Sequence, residues 1–235
     1  MLSSFIKLSI TTFIYSLLYN PIESFLNKNY LFKKYPDSRK KYIIKNLIKS
    51  FSMFLIFINF SILYFRNGFN NILTNNLIRN FGALYVGNDL CGLIKVKNLP
   101  KTTKIHHIIT LFLYSLVSYY DVEKYKIVKM ISIYTIFSFI PFAVNSYLGL
   151  RFLIKKETKN KNQIILNNII EINRILAKYV YLITCLINWI IHIQYFSNEL
   201  FKLSFNILDL IYFLFLIPII NDDIILLKWL NKKYV

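Results

Sequence analysis

Two adjacent histidines, His106 and His107, open an apolar run reading IHHIITL, and a carboxylate, Asp89, lies in the preceding run within GNDL. Histidine titrates near neutral pH and serves as a general acid or base, while a carboxylate among apolar residues is costly unless a partner or a function uses it. Neighbouring positions on an α-helix point about 100° apart, so the two rings are expected to play separate roles rather than share one small metal ion. No metal site is expected. On the His107 side lie Leu111, Tyr114 and Ser118, and on the His106 side Thr110, Leu113 and Val117. A third polar group follows in SFIPFAVNSYLGLR, where Ser138, Pro141, Asn145, Leu148 and Arg151 fall near one another at helical spacing. Pro141 leaves the carbonyl of Phe137 without its usual donor, and Asn145, one turn on, is placed to satisfy exposed backbone or a ligand.

A plainer reading stands beside each of these. Asp89 would be a structural carboxylate hydrogen-bonded to a neighbouring helix, with Gly82, Gly87 and Gly92 allowing close approach. The histidines would be interfacial residues at a helix mouth beside Lys104, and Pro141 with Asn145 would shape a kink. The remaining candidates, His192, Glu199, Asp209, Asp222 and Asp223, sit singly or near the ends of apolar runs and read as packing or interfacial residues.

The elements that must position these groups read as membrane helices. The chain is 56% hydrophobic yet carries a formal charge of +18 over 235 residues, which suits long apolar spans alternating with charged loops. Ala occurs only at positions 83, 143 and 177 while Asn, Ile, Lys, Tyr and Phe abound, so part of the Lys excess reflects a compositional skew. Cys91 and Cys185 both lie in apolar runs and read as packing residues, without a disulfide framework or a zinc site. Three histidines are too few for a multi-histidine metal centre. Apolar runs at 2–19, 46–65, 77–96, 105–120, 127–154, 175–195 and 205–227 approach the ~20 residues a bilayer core requires. The expected fold is therefore all-α and polytopic, with seven transmembrane helices, Asp89 about mid-span in the third and the fifth kinked at Pro141. The first run lacks a small-residue cleavage site before Pro21 and reads as a retained helix.

Loop basicity sets the expected orientation. Lys28, Lys33, Lys34, Arg39, Lys40, Lys41, Lys45 and Lys49 crowd the segment 26–49, and further lysines mark the connections after the third and fifth runs and the tail, while 66–76, 121–126 and 196–204 are nearly neutral. The positive-inside rule then places the N-terminus in the lumen and the C-terminus in the cytosol. Segment 156–174 reads either as an amphipathic helix on the cytosolic surface or as a solvated loop. The last residues, KKYV, carry Lys232 and Lys233 at the spacing of a dilysine retrieval signal, with a basic anchor as the plainer reading. Nucleic-acid binding does not explain the charge, because the lysines lie in loops without aromatic interleaving; anionic headgroups are the expected counter-charge.

The order GNDL, IHHIITL and IPFAVNSYLGLRF in successive runs resembles the TLC domain, shared by ceramide synthases, translocating-chain-associating membrane proteins and a set of smaller TLC-domain proteins. The resemblance covers about residues 40–230, after a first helix at 1–25 and before a cytosolic tail at 231–235. It implies six helices around a central cavity that takes lipid or acyl chains, in the endoplasmic reticulum or a related membrane. It also implies membrane lipids as partners, no cofactor, and a cavity lined by Asp89, Tyr114, Ser138 and Asn145. In a ceramide synthase the paired histidines, here His106 and His107, would be catalytic, with acyl-CoA as co-substrate. That motif continues to a His-Asp pair and a further Asp on the following helix, where this chain reads MISIYTIFSFIPFAVNSYL. The departure argues against ceramide synthesis and places the chain nearer the smaller TLC-domain proteins. Lipid handling is the leading expectation, an acyl-CoA-dependent acyltransferase the alternative, and a transporter or channel built on Asp89 a third.

Overall fold

The computed structural model describes residues 2–68, 73–155 and 160–231, and the regular structure among these residues is all helical, without strands. The order is α1 (Leu2–Leu26), α2 (Tyr30–Lys33), α3 (Asp37–Asn67), α4 (Asn75–Lys95), α5 (Lys101–Tyr119), α6 (Lys126–Phe139), α7 (Phe142–Leu150), a 3₁₀ turn (Arg151–Leu153), α8 (Lys161–Phe201) and α9 (Ile207–Leu230). By length and apolar composition α1, α3, α8 and α9 are fit to cross a membrane, and α6 with α7 makes a fifth if the bent pair is one span. This is the build of a multi-pass membrane protein. The runs expected at 77–96 and 105–120 do form helices, α4 and α5. However, α4 carries Arg79, Asp89 and Lys95 among four asparagines, and α5 carries Lys101, Lys104 and both histidines, which dilutes their apolar character.

Local sequence explains the boundaries. Asn29, Thr74, Asn160 and Asn206 each accept backbone N–H bonds at the start of α2, α4, α8 and α9, and Asp209 completes a capping box with Asn206. Pro141 breaks the column α6–α7 with a bend of 45°, as a proline that removes a donor and crowds the preceding turn should do.

α3 packs on α7 and α4; α4 continues to α5, α5 to α9, α9 to α8 and α8 back to α7, so these columns close around an interior. The first helix docks outside that ring against α4 and α3. Its seat depends on Gly87, where a Cβ would meet the Thr11 side chain, and is fastened by Thr11 Oγ1 donating to the Ala83 carbonyl at 3.0 Å and Lys7 Nζ donating to Asn80 Oδ1 at 2.7 Å.

α8 differs from both expectations for segment 156–174. Its described part, from Lys161, belongs to one 41-residue helix that runs without interruption into the span, neither a separate surface helix nor a loop. At a 1.5 Å rise this rod is about 60 Å long, twice the ~30 Å hydrocarbon core. Continuous i→i+4 bonding from Asn160 onward simply gives the chain no reason to stop. Lys232 and Lys233 lie outside the described residues.

Gly87→Val is expected to push α1 off α4. Overpacking of this kind typically costs about 1–3 kcal/mol, so thermal unfolding of the detergent-purified variant should show a lower midpoint, whereas an unchanged midpoint would mean that α1 is not seated there.

Candidate functional site

Asp89 is fully buried. α4 ends at Lys95 and α5 begins at Lys101, so Asp89 and His107 each lie about 9 Å in from the same end of the bundle. Lys45 and Lys49, one turn apart on α3, meet them there. Lys49 Nζ contacts Asp89 Oδ1 at 2.5 Å, His107 Nδ1 stands 3.2 Å from the same oxygen, and Lys45 Nζ stands 3.2 Å from His107 Nε2. The side chains of Lys45, Lys49, Asp89 and His107 are all buried, being 3%, 5%, 0% and 3% exposed as residues, so solvent screening is weak and each charge needs its partner. The stem of Lys45 fits because residue 92 is glycine: a Cβ there would stand 3.0 Å from Lys45 Cε. Lys49 also lies 4.4 Å from the Tyr85 ring centroid.

Beside this cluster lies a cavity of about 270 Å³ that receives residues from α3, α4, α5, the α6–α7 column, α8 and α9. Lys45, Lys49, His106 and His107 line one part of it, and Asp222 and Asp223 of α9 another. Toward the end of the bundle it is bounded by Tyr42, Pro100, Arg151 and Trp229, with the Arg151 guanidinium 4.0 Å from the Trp229 ring centroid. A narrower crevice of about 40 Å³ adjoins it, lined mostly by apolar residues and sharing Tyr85, His106 and Ser138 with the larger cavity.

The residues singled out in the sequence divide as follows. His106, His107, Ser138 and Asn145 line the larger cavity, together with Pro141, Leu148 and Arg151. Asp89 does not line either space; it stands behind Lys49 and His107 and reaches the cavity through them. Tyr114 lines only the narrow crevice, and its hydroxyl donates to the Ser4 and Arg79 carbonyls at 3.1 and 3.2 Å, which ties α5 to α1 and α4. Asn145 Nδ2 points to Met53 Sδ at 3.4 Å, so this amide links α7 to α3 instead of repairing the proline break. Ser138 bonds the Tyr134 carbonyl within its own helix.

Three readings from the sequence are corrected. Lys45 and Lys49 are not loop charges but inward-facing helix residues. Asp222 and Asp223 are not mere packing or interfacial groups: Asp222 Oδ2 is 3.5 Å from His106 Nδ1, and Asp223 accepts hydrogen bonds from the Tyr134 and Tyr181 hydroxyls at 2.5 and 2.6 Å beside the cavity. The 100° between His106 and His107 also fails to keep their nitrogens apart, because the rings lean together with centroids 5.8 Å apart. One ligand atom from each of Asp89, His106 and His107 falls within 4.8 Å of the others, a span a divalent ion could bridge. Two lysine amines on those same groups oppose a further cation, and a third charge of that sign would compete directly with Lys49 for Asp89. By contrast His192 is a structural group, its Nδ1 2.7 Å from the Asn188 carbonyl and its Nε2 2.9 Å from the Tyr212 hydroxyl and 3.2 Å from the Met130 carbonyl.

A sequence signal for the lysines exists. Lys41, Lys45 and Lys49 recur every four residues, and the last two continue among Ile43, Ile44 and Ile48, where a helix face turned to solvent or headgroups would not place isoleucines. Asp89, the acidic residue of α4, is the partner that pattern calls for.

Comparison of the chain with family models, with curated proteins and with solved structures finds no match.

Removing one member of a buried ion pair typically costs about 3–5 kcal/mol, and removing both is far milder. Lys49→Met should therefore lower thermal stability sharply, with Asp89→Leu in the same chain recovering most of the loss; additive losses in that double-mutant cycle would show that the two groups are not coupled.

Proposed function

We propose that this protein is a TLC-type membrane protein of the endoplasmic reticulum or a related membrane that binds and handles lipid in its interior cavity, influencing membrane lipid composition or trafficking. In this reading seven helical columns span the bilayer, α6 and α7 forming one of them, with the N-terminus in the lumen and the C-terminus in the cytosol. The basic connections that set this orientation flank the end of the bundle where Tyr42, Pro100 and Arg151 bound the cavity, so the cavity faces the cytosolic leaflet.

The observation that carries the proposal is the pair of neighbouring spaces. A chamber with charged groups of both signs in its wall, near the ~300 Å³ lower range of small-ligand sites, borders an apolar crevice at Tyr85, His106 and Ser138. That is the shape of an amphiphile: a headgroup among Lys45, Lys49, Asp222 and Asp223, and the start of a chain between α5 and α6. The charges of both signs lining the chamber suit a polar headgroup better than an apolar ligand.

A second reading, acyl transfer from acyl-CoA, draws support from His107. Its Nδ1 stands 3.2 Å from Asp89 Oδ1 and its Nε2 faces Lys45 at 3.2 Å, so a buried carboxylate backs an imidazole of the kind that serves as a general base. Release of free CoA from acyl-CoA and a long-chain base, abolished by His107→Ala, would establish it.

Lipid binding is tested with a photoactivatable phospholipid reconstituted with the protein in nanodiscs. Crosslinks are expected on the cavity-facing positions of α3, α5 and α7, and Ser138→Trp, which fills the junction between the two spaces, should reduce them several-fold, on the order of the ~1–3 kcal/mol that overpacking costs. Crosslinks confined to the outer faces of α1 and α8, indifferent to Ser138→Trp, would refute cavity binding.

A further inference from the structure

Two side chains of opposite charge in the wall of the larger cavity each touch a histidine and, among the described residues, no charge of the other sign. Lys45 of α3, 3% exposed, stands 3.2 Å from His107 Nε2. Asp222 of α9 stands 3.5 Å from His106 Nδ1 and has no closer partner among the described residues. Their neighbours are already engaged, Lys49 by Asp89 at 2.5 Å and Asp223 by the Tyr134 and Tyr181 hydroxyls. The Asp222 carboxylate acts on the Lys45 ammonium through the interior, yet the two do not meet; they sit on separate helices and line one chamber of about 270 Å³. Opposite charges held apart where water is scarce are each desolvated without the return of direct contact. A ligand that carries one charge of each sign answers both at once.

We propose that the chamber recognises a zwitterionic headgroup, with its phosphodiester on Lys45 and its ammonium on Asp222, so that the lipid taken into the cavity is a zwitterionic phospholipid. This rests on the cavity taking amphiphiles. The basic side offers more than one donor. Arg151 stands over the Trp229 ring at 4.0 Å, which uses the face of the guanidinium and leaves its N–H donors in the plane. Pro100, Thr102 and Thr103 of the first turn of α5 line the same chamber, and because Pro100 supplies no side-chain cap, the positive end of that 19-residue helix adds to the lysine and arginine. On the acidic side both oxygens of Asp223 are taken by tyrosines, and Asp222 is the carboxylate with acceptor capacity to spare.

The other headgroup classes each leave a charge unanswered. An anionic headgroup without an amine brings its charge to Lys45 and Arg151 but nothing to Asp222. A lone amine, as on a long-chain base, suits Asp222 and meets two lysines. An uncharged diacylglycerol answers neither wall. In a zwitterionic phospholipid a two-carbon linker joins phosphate to ammonium, so both charges fit within one chamber while the start of an acyl chain enters the apolar crevice that borders it at Tyr85, His106 and Ser138.

The test titrates the full chain, purified in a non-ionic detergent, with dioleoyl lipids differing only in headgroup, and native mass spectrometry counts the lipid bound. Phosphatidylcholine and phosphatidylethanolamine are expected to bind about tenfold tighter than phosphatidylglycerol or diacylglycerol, the scale of one charge-assisted hydrogen bond. Asp222→Asn should weaken the two zwitterions about tenfold and leave phosphatidylglycerol unchanged, whereas Lys45→Gln should weaken all three phospholipids and leave diacylglycerol unchanged. Thermal unfolding shows that each variant is folded, and Asp222→Asn decides the matter if Lys45→Gln is not. Phosphatidylglycerol bound as tightly as the zwitterions, or Asp222→Asn weakening every lipid alike, overturns the proposal. Glycerophosphocholine, the headgroup without chains, should compete only in large excess; competition at the concentration of the lipid itself upholds the zwitterion and refutes a phospholipid as its source. If all four lipids bind equally and Ser138→Trp weakens them together, headgroup recognition is refuted and lipid binding stands; if Ser138→Trp weakens none, both fall.

Discussion

The contact between Lys49 and Asp89 is the constraint on which the interior depends. Coulomb attraction that is worth ~1 kcal/mol in water grows several-fold where water is excluded, and so does the cost of breaking it. Because Asp89 is matched by Lys49, a carboxylate can stand at 0% exposure behind the cavity wall, 3.2 Å from the imidazole of His107. Because Asp89 is spoken for, Lys45 is left to the imidazole. The geometry of α3, α4 and α5 around this point is thus set by electrostatics as much as by packing, and the glycines at 87 and 92 provide the clearance: one for α1 behind α4, the other for the lysine stem in front of it.

The cavity follows from two further features. Pro141 bends the α6–α7 column by 45°, and past the bend α7 lies along α3, linked by Asn145 to Met53 and by Ser50 Oγ to the Phe142 carbonyl at 2.9 Å. Opposite, α9 brings Asp222 and Asp223 to His106, Tyr134 and Tyr181, so charge of the other sign faces the lysines. The result is a chamber with a basic wall and an acidic wall, continued by an apolar crevice.

Much of the helix plan is legible in the apolar runs, because each of the seven expected runs lies largely on one helical column and the proline kink falls where its missing donor predicts. Among the described residues the number of columns apolar enough to cross a membrane is smaller, four or five, because a run counted by length ignores the polar residues within it. The paired histidines, Ser138 and Asn145 are legible as cavity residues since they interrupt apolar stretches at helical spacing. Lys45 and Lys49 are obscured by company: they end a dense series of loop lysines, and charge counting along the chain cannot tell a lysine that faces a headgroup from one that faces an aspartate on the next helix. Asp222 and Asp223 are obscured by distance, since what gives them meaning, His106 and two tyrosines, lies on α5, α6 and α8.

The same ion pair bears on how the chain enters a membrane. A single lysine or aspartate at the centre of an inserting helix carries a penalty of about 2.5–3.5 kcal/mol, and α3 carries two inward lysines while α4 carries the carboxylate that answers one of them. Neither helix is at ease in lipid alone. Packed together, α3 and α4 bury the salt bridge between them, so neither charge is left facing outward. The order of synthesis, α3 directly before α4, makes the two charges neighbours at the moment when each most needs the other.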